Sequence, residues 1–566
     1  MLSLAAVSCA LVPPPPSTVI VGGGPAGLAT AIMLAKRGYK KITVLDRLEP
    51  PAAPDDLEVW SDTARHYLIG LNGRGQRALK TIGAWDDVLE PFCSTVVGRK
   101  DWNPGASVDE GIERIFTDRG YLTRVIPRAR MVSCLHRHVL QSYAGIIDVR
   151  HGVEVQDVRW TAGAGAADER AVLTCVPCVA TGDAEACEAT EEPYELDATL
   201  LVGADGSRRT IANAMEAEGT KRFRVNKFED TNVRVYKTVP LTLPADWRGD
   251  INYSCRTTSI NFDALPTLEG EYCGVLLIKP DDVASQSLES VEQAREYFDE
   301  LLPQFSPSIS DVTLQQVIAK PPSRLPTFRY VGPNLHRGAS TVLLGDAIHS
   351  VKPYFGLGVN SAFEDVDELA TALDTRESLG DALHTYSTRR GPEAKALVSL
   401  SRSFDKSGLP AFITFILPLI LDGIFHGAMP KLFAPNSLAV SDARSTPTLV
   451  PDPVSRLSSF VDSHRHLVRA DATGSRPLLW TDMQAQASRP SRSGPPPRWS
   501  WRGCRPARSR RRATLRPPAA LTNPLRLALV AARCAARRGV RRRRAHAHAR
   551  RRRCGRRARC ADGGQQ

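Results

Sequence analysis

Apolar and polar positions along residues 18–46 follow the order strand, glycine-rich turn, helix, strand. Thr18–Val21 is a short β-branched run, and Ala26–Arg37 has apolar residues at helical spacing. Gly38 ends this predicted helix, and Lys41–Leu45 alternates as a second strand does. The pattern therefore predicts a nucleotide-binding type of α/β unit near the start of the chain.

Helical and strand patterns continue to about residue 433. Further helices are predicted at Arg74–Ile82, at Arg128–Leu140, near 286–302, at Asn360–Leu373 and over most of 380–433. Further strands are predicted within 150–204, which also holds a polar insertion, and at Tyr272–Ile278 and Thr341–Leu344. This order predicts an α/β fold in which a sheet-rich region, 225–330, is inserted into the nucleotide-binding domain.

The net charge of +13 comes from the C-terminal segment alone. Residues 446–566 hold 29 Arg, no Lys, 5 Asp and no Glu, a net of +24, whereas residues 1–445 carry −11. The acidic body gives no support to a nucleic-acid-binding function. The Arg-rich segment is of low complexity, so we expect it to be disordered or to be an artefact of the gene model. Its functional alternative is an electrostatic arm for nucleic acid or anionic lipid.

Cysteine spacing predicts no metal site. Cys175 and Cys178 form one C-x-x-C motif, and Cys187 follows in the same variable stretch. A zinc or redox site needs a second ligand pair or a thioredoxin-like context. We therefore interpret these residues as structural thiols in a loop or hairpin.

The first glycine-rich turn has the spacing of a dinucleotide-binding site. Backbone N–H groups at a helix N-terminus bind a pyrophosphate, and glycines let the chain approach it closely. Asp46 ends the second predicted strand, where an acid accepts hydrogen bonds from ribose hydroxyls. The predicted binding residues are Gly22, Gly24, Pro25, Ala26, Gly27, Asp46 and Arg47. The turn alone does not distinguish FAD from NAD.

Two further motifs each follow a predicted strand. The first is Asp205-Gly206, which by itself is an ordinary turn. The second runs from Gly345-Asp346 through a loop with proline and glycines into a helix, whose N-terminus favours an anion. Asp346 is placed to accept hydrogen bonds from sugar or ribityl hydroxyls.

These three motifs, in this order, resemble the FAD-dependent aromatic hydroxylases, which are single-component flavoprotein monooxygenases. The resemblance covers about residues 17–437, and within the family it is strongest to the kynurenine 3-monooxygenases. Segments that carry it include Gly345–Asp365, Gly75–Gly83 and Phe425–Pro435. It implies a Rossmann-like FAD-binding domain interleaved with a substrate-side β-sheet domain.

The resemblance also implies cofactors and a reaction. NADPH or NADH reduces FAD, and a flavin C4a-hydroperoxide hydroxylates a small aromatic substrate with one atom of O₂. Beyond the first turn, the implied cofactor-binding residues are Arg128, Asp205, Gly206, Gly345, Asp346, Pro353, Gly356, Gly358, Val359 and Asn360. We interpret His349 as structural or flavin-contacting. No residue is assigned a catalytic role, and no metal is expected.

Four residues are candidates for substrate contact by the same resemblance. Arg99 and Tyr121 correspond to a pair that grips a substrate carboxylate, although the residues around Arg99 match poorly. Arg402 and Asp405 stand where the kynurenine enzymes have Asn and Glu. A carboxylate-bearing aromatic is therefore better supported than kynurenine itself.

The resulting domain division has six segments. They are a leader expected to be disordered, 1–16; the first part of the FAD-binding domain, 17–224; the substrate-side sheet domain, 225–330; the Gly-Asp part of the FAD-binding domain, 331–375; a helical region, 376–437; and the Arg-rich tail, 438–566. Residues 409–430 are a candidate for peripheral membrane contact, and an intracellular location is expected: cytoplasmic, or at a membrane such as the mitochondrial outer membrane. The alternatives are a same-fold epoxidase or hydroxylase of a lipid or isoprenoid, and a non-catalytic flavoprotein or tail-dependent nucleic-acid or membrane binder.

Overall fold

The computed structural model describes residues 15–405, apart from 104–105, 118–119, 162–168, 182–186, 220–221, 257–259, 287 and 354–355. The strands are β1 Thr18–Val21, β2 Ile42–Leu45, β3 Leu68–Leu71, β4 Ser94–Val96, β5 Gly98–Trp102, β6 Ile112–Ile115, β7 Thr123–Pro127, β8 Ile147–Arg150, β9 Val153–Thr161, β10 Arg170–Ala180, β11 Cys187–Ala189, β12 Tyr194–Ala198, β13 Leu200–Gly203, β14 Phe223–Lys227, β15 Val235–Leu241, β16 Ile251–Arg256, β17 Asn261–Pro266, β18 Tyr272–Ile278, β19 Ser323–Arg324, β20 Arg329–Pro333, β21 His336–Arg337, β22 Thr341–Leu343 and β23 His349–Ser350. The helices are α1 Pro25–Lys36, α2 Leu57–Trp60, α3 Gly73–Ile82, α4 Arg128–Ser142, α5 Thr210–Ala217, α6 Val283–Gln286, α7 Val291–Leu301, α8 Asp311–Ala319, α9 Leu357–Thr375 and α10 Leu379–Asp405.

A six-stranded sheet in the order β21-β22-β13-β1-β2-β8 carries the nucleotide-binding unit. Its strands β8, β2, β1, β13 and β22 are parallel, and only β21 runs antiparallel. Such a sheet needs cover on its faces. Helix α1, buried from Ala26 to Leu34, packs against α3, α4 and α9. The predicted βαβ unit and α/β fold class are confirmed.

A second, seven-stranded sheet has the order β19-β15-β18-β17-β16-β5-β6. Strand β5 joins it parallel to β16, with Gly98 beside Ile251, so β5 and β6 belong to this sheet together with β15 to β19. One face packs on α7 and α8 through a core that includes Phe262 and Phe298. The opposite face is turned toward residues 63–66, where the Cys273 thiol lies 3.4 Å from the carbonyl oxygen of His66.

Three smaller sheets complete the fold. They are β9-β10-β12 with β11 on the far part of β10, then β14-β20-β23, and β3-β7-β4. The first, together with β13 of the six-stranded sheet, accounts for the strands predicted within 150–204. In the second, β20 pairs with β14 on one side and with β23, the strand after the Gly-Asp motif, on the other. Helix α10 packs on β20 and β23.

Some sequence predictions lie outside the described residues. These are most of the leader 1–16, the membrane-contact candidate 409–430 and the Arg-rich tail 438–566. Within the described ranges, no helix combines the length and apolar character needed to cross a bilayer. In the same residues, no group of three or more His, Cys, Asp or Glu side chains is arranged to hold a metal ion.

Candidate FAD site and facing sheet surface

The glycine-rich turn between β1 and α1 is shaped by close backbone approach. Gly22 has φ of 106°, which glycine tolerates far better than residues with a side chain. A Cβ on Gly27 would lie 1.9 Å from the carbonyl oxygen of Gly22, so the helix can approach the turn only because this side chain is missing. Helix α1 then begins at Pro25, where a proline fits the first helical position. Its N-terminal N–H groups are therefore available to a phosphate.

Asp46 and Arg128 lie at this turn. One Asp46 oxygen accepts a hydrogen bond from the Gly23 N–H at 2.6 Å, and the other accepts from the Leu48 N–H at 2.8 Å. Arg128 is the first residue of α4, and its guanidinium Nη2 lies 3.7 Å from the position that a Cβ on Gly24 would take. The fold thus brings together an acid, a cation and a helix N-terminus from three separate elements.

The Asp205-Gly206 motif packs directly on the first turn. A Cβ on Gly22 would lie 2.3 Å from the carbonyl oxygen of Ala204, which precedes Asp205 at the end of β13. Asp205 Oδ2 accepts from the Ile211 N–H at 3.3 Å, whereas Oδ1 is buried without a hydrogen-bond partner in the described part of the chain. Burial raises the pKa of Asp205 to about 6. A buried acceptor with spare capacity fits a hydroxyl of a bound dinucleotide.

The Gly345-Asp346 motif reaches the same place from the other side. Gly345 has φ of 67°, and its missing side chain leaves room for Ala26, whose Cβ would lie 3.0 Å from a Cβ at position 345. Asp346 is exposed. The loop then passes Pro353 and Gly356 (φ 59°) into α9, where Gly358 and Val359 occupy the first turn; a Cβ on Gly358 would lie 3.8 Å from Asp346 Oδ1.

Arg209 connects these two motifs, although its role was not predicted from the sequence. It is buried, with 1% of its surface exposed, and its φ of 57° lies in the left-handed region. Its Nη2 donates to the carbonyl oxygen of Asp346 at 2.5 Å, and its Nη1 donates to Ser207 at 3.0 Å. Burial lowers the pKa of Arg209 to about 10. Arg208 and Arg209 are adjacent, and the sequence alone does not say which one turns inward.

Asn360 has its amide engaged by protein groups. Its Nδ2 donates to Gly70 at 2.9 Å and to Gly356 at 2.7 Å, and its Oδ1 accepts from the Asn72 N–H at 3.0 Å. The side chain therefore ties the turn before α3 to the start of α9. A direct contact of Asn360 with the cofactor remains a prediction.

A buried ionic cluster supports the Gly-Asp turn from below. Asp365 Oδ2 accepts from the Gly345 N–H at 2.8 Å and lies 2.9 Å from His349 Nε2, and Oδ1 accepts from Arg390 Nε at 2.8 Å. Burial acts to raise the pKa of Asp365, but His349, Arg390 and the Gly345 hydrogen bond outweigh it, and the pKa is lowered. His349 is completely buried, which agrees with a structural role rather than that of an acid or base.

Arg402 and Asp405 lie at the end of α10. The Arg402 guanidinium stacks 3.8 Å over the ring of Phe228. Asp405 is buried and pairs with the fully buried Lys352, whose Nζ is 3.0 Å from Asp405 Oδ2 and 2.9 Å from Asp230. The Asp405 carboxylate is therefore engaged by a lysine inside the protein, and its contact with a substrate remains a prediction.

Arg99 and Tyr121 lie on different elements. Tyr121 covers the start of α3, since a Cβ on Gly73 would lie 2.7 Å from its ring. Arg99 lies on β5, where its Nε donates to Asp101 Oδ1 at 2.8 Å, and Arg114 Nη1 is 3.7 Å from Asp101 Oδ2. These three described side chains, two guanidinium groups and one carboxylate, together carry a net charge of +1.

One row of side chains crosses the seven-stranded sheet on the face opposite its apolar core. Directly paired residues share a face, and the pairings run from Asp101 to Ser254, Asp263, Val275 and Thr238. We call this row, with Arg99 and Tyr236, the polar sheet face.

The polar sheet face is closed at one end by the segment around residue 63 of the nucleotide-binding part. Tyr67 lies 5.8 Å from Tyr236, ring to ring. Burial is the main reason that the pKa of Tyr67 lies well above its ordinary value, and the nearby Tyr236 and Asp263 raise it further. The Ser254 hydroxyl is buried without a hydrogen-bond partner among the described residues. Sequence reasoning found only Arg99 here, because the row forms through pairings that are distant in sequence.

Comparisons with known proteins agree with this geometry. A family model described as an FAD binding domain matches residues 178–401, and one described as an NAD(P)-binding Rossmann-like domain matches residues 20–52. Kynurenine 3-monooxygenase of Salinispora tropica is 25% identical over 391 residues, covering 67% of this chain and 77% of its own. Violacein synthase of Chromobacterium violaceum is 26% identical over 425 residues, covering 73% and 90%.

Among solved structures, the tetrameric form of 2-methyl-3-hydroxypyridine-5-carboxylic acid oxygenase has a similar fold. The TM-score is 0.51 at 21% identity, and the match covers 70% of this chain and 94% of that one. The fold, the three motifs and these matches make the chain an FAD-dependent monooxygenase that is similar to the aromatic hydroxylases. It is an oxidoreductase with FAD as its cofactor and NAD(P)H as its electron donor.

Proposed function

We propose that this enzyme hydroxylates a small aromatic substrate that carries a carboxylate, as the kynurenine 3-monooxygenases do. Relatives with that name support the proposal at 24–26% identity. Because violacein synthase matches to a similar degree, identity alone does not select the substrate. The choice of a carboxylate rests on the side chains of the polar sheet face.

The observation that carries the proposal is the net positive charge around Asp101. Within the described part of the chain, the ion pairs of Arg99 and Arg114 are both made with this one carboxylate, so a second anion can pair there. A planar guanidinium suits a carboxylate because it donates two parallel hydrogen bonds. The hydroxyl of Ser254, which has no hydrogen-bond partner among the described residues and lies next to Asp101 across the sheet, can donate to a polar group of the same substrate.

The chain's own groups would hold the cofactor and the ring in place. Asp46, Arg128 and Asp205 would bind the dinucleotide, and the Gly345–Asp365 contact fixes the turn beside it. FAD reduced by NAD(P)H supplies the activated oxygen. The polar sheet face would orient the substrate, and its closure by the segment near Tyr67 would exclude water from the reaction.

A substrate panel scored for both stimulated NAD(P)H oxidation and hydroxylated product tests the proposal. L-kynurenine and related aromatic acids are expected to give both signals, and their amide analogues only weakly. If L-kynurenine gives neither signal, the kynurenine assignment is wrong while the enzyme class stands. If isoprenoid or lipid substrates give product and aromatic acids do not, the alternative of a lipid epoxidase or hydroxylase replaces the proposal.

Arg99→Leu tests the carboxylate contact. The loss of one charged hydrogen-bonding group costs about 1.5–3 kcal/mol of binding free energy. KM for an acid substrate should therefore rise about 10- to 100-fold, with FAD content unchanged. Arg248→Leu is the matched control, because Arg248 is exposed and pairs with Asp250 away from this face. Equal effects of Arg99→Leu on the acid and on its amide would contradict the contact.

A further inference from the structure

Two thiols meet at the backbone carbonyl of Arg47, the residue that follows Asp46. Cys178 lies on β10 and Cys187 on β11, and the ladder pairs Cys178 with Ala189 and Ala180 with Cys187. The cysteines are therefore diagonal neighbours on one face of the hairpin. Cys178 Sγ is 3.9 Å and Cys187 Sγ is 4.0 Å from the Arg47 oxygen, and the two thiols are close enough to interact with each other.

The two sulfur atoms differ in their surroundings. Cys178 is buried, which raises the pKa of its thiol to about 11. Cys187 is half-buried, and the Arg47 Nη1 lies 3.6 Å from its Sγ. Cys187 is thus the sulfur that a small oxidant reaches first, with Cys178 behind it. Cys175 is completely buried and lies on the opposite face of β10, so the C-x-x-C motif does not form the pair.

The Arg47 carbonyl, which accepts from these thiols, lies next to the nucleotide site. Asp46 binds the Gly23 N–H on one side of the segment and the Leu48 N–H on the other. A movement of Arg47 therefore acts directly on the turn that faces the cofactor. This link between a thiol pair and the turn is the basis of the inference.

We propose that Cys178 and Cys187 are an oxidation site whose disulfide weakens FAD binding through Arg47. Hydrogen peroxide is the oxidant: the Cys187 sulfur takes one oxygen as a sulfenic acid and releases water. The Cys178 sulfur then attacks the sulfenic sulfur, forms the S–S bond and releases a second water. Two thiols and one peroxide thus give one disulfide and two waters. The proposal rests on the FAD site and not on the identity of the substrate.

The disulfide changes the site for two physical reasons. It has no S–H group, so the Arg47 carbonyl loses both thiol donors. It also needs the Cα atoms within about 4.4–6.8 Å, whereas diagonal neighbours in a ladder are about 7–8 Å apart, so the hairpin must shift beside Arg47.

The test uses the full-length protein. After treatment with hydrogen peroxide, peptide mass mapping is expected to find a Cys178–Cys187 disulfide. The Kd for FAD, titrated into apoprotein, is expected to rise about fivefold, equal to about 1 kcal/mol, and to return after reduction with dithiothreitol. Cys178→Ser and Cys187→Ser should lose this response, and the matched control Cys175→Ser should keep it.

Either of two results overturns the proposal: no Cys178–Cys187 disulfide in the map, or equal Kd values for FAD in the oxidised and reduced protein. The comparison of oxidised with reduced wild type needs no variant, so a serine variant that misfolds does not affect it. Failure of every aromatic acid as a substrate would refute the proposed function and leave this outcome unchanged.

Discussion

Replacement of Asp205 by Asn should make the apoprotein more stable and bind FAD less well. In the chain without cofactor, burial raises the pKa of Asp205 from 3.8 to about 6, and its Oδ1 lacks a partner among the described residues. The folded protein therefore holds this proton more tightly than the unfolded chain does. The free energy of unfolding of the wild-type apoprotein therefore falls as the pH rises from about 4 through about 6. Above about pH 6 the stability contributed by protonated Asp205 is fully lost.

The size of the effect follows from the shift in pKa. A shift of about two units corresponds to about 3 kcal/mol, which is the cost of keeping the charged carboxylate in its buried position above pH 7. Asp205→Asn removes the charge and keeps an oxygen that can accept from Ile211. The variant should therefore match wild type near pH 4 and exceed it by up to about 3 kcal/mol near pH 8.

Urea unfolding of the two apoproteins at both pH values measures this difference. FAD titration should give the opposite sign, because a hydrogen bond to a charged acceptor contributes about 1.5–3 kcal/mol, or about 10- to 100-fold in Kd. Asp246→Asn is the control, because that carboxylate is exposed. Equal stability of Asp205→Asn and wild type near pH 8, together with an unchanged Kd for FAD, would refute the reasoning.

Two further substitutions test the packing of the site. Gly27→Ala should purify with little flavin absorbance, because its methyl group would lie 1.9 Å from the Gly22 oxygen. The control Gly120→Ala should keep the wild-type absorbance, because no described atom lies within 4 Å of the added methyl group. Equal flavin content in Gly27→Ala and wild type would contradict the close approach. Lys352→Met should lower the free energy of unfolding by about 3–5 kcal/mol, because it removes the ammonium group that contacts the Asp405 and Asp230 carboxylates. A loss below about 1 kcal/mol in urea unfolding would show that the pair is not needed.

The parts of the site that were predictable from sequence are those encoded by neighbouring residues. The turn at Gly22–Gly27 and the following helix and strand depend on local spacing, and the structure has them with ends shifted by one residue. The strand Tyr272–Ile278 and the helix beginning at Arg128 also occur where alternation and helical spacing predict them. Local pattern was sufficient because each of these elements buries a face of its own.

The remaining features depend on contacts between distant residues. Strand β5 pairs with β16, which lies about 150 residues away, and this pairing creates the polar sheet face. Lys352 and Asp405 are 53 residues apart and meet because α10 packs on β20 and β23. Arg209 is buried and has a left-handed backbone, whereas Arg208 beside it is exposed, and the two adjacent arginines do not reveal this difference in the sequence. No spacing rule covers such contacts.

The central claim, that the enzyme transfers one atom of O₂ to its substrate by way of FAD, is tested most directly by isotope labelling. The purified flavoprotein would be supplied with NADPH, isotopically labelled O₂ and the aromatic acid that most stimulates NADPH oxidation. The account predicts that each product molecule gains one labelled oxygen atom. NADPH oxidation that yields only hydrogen peroxide, with no labelled organic product from any substrate tested, would contradict it.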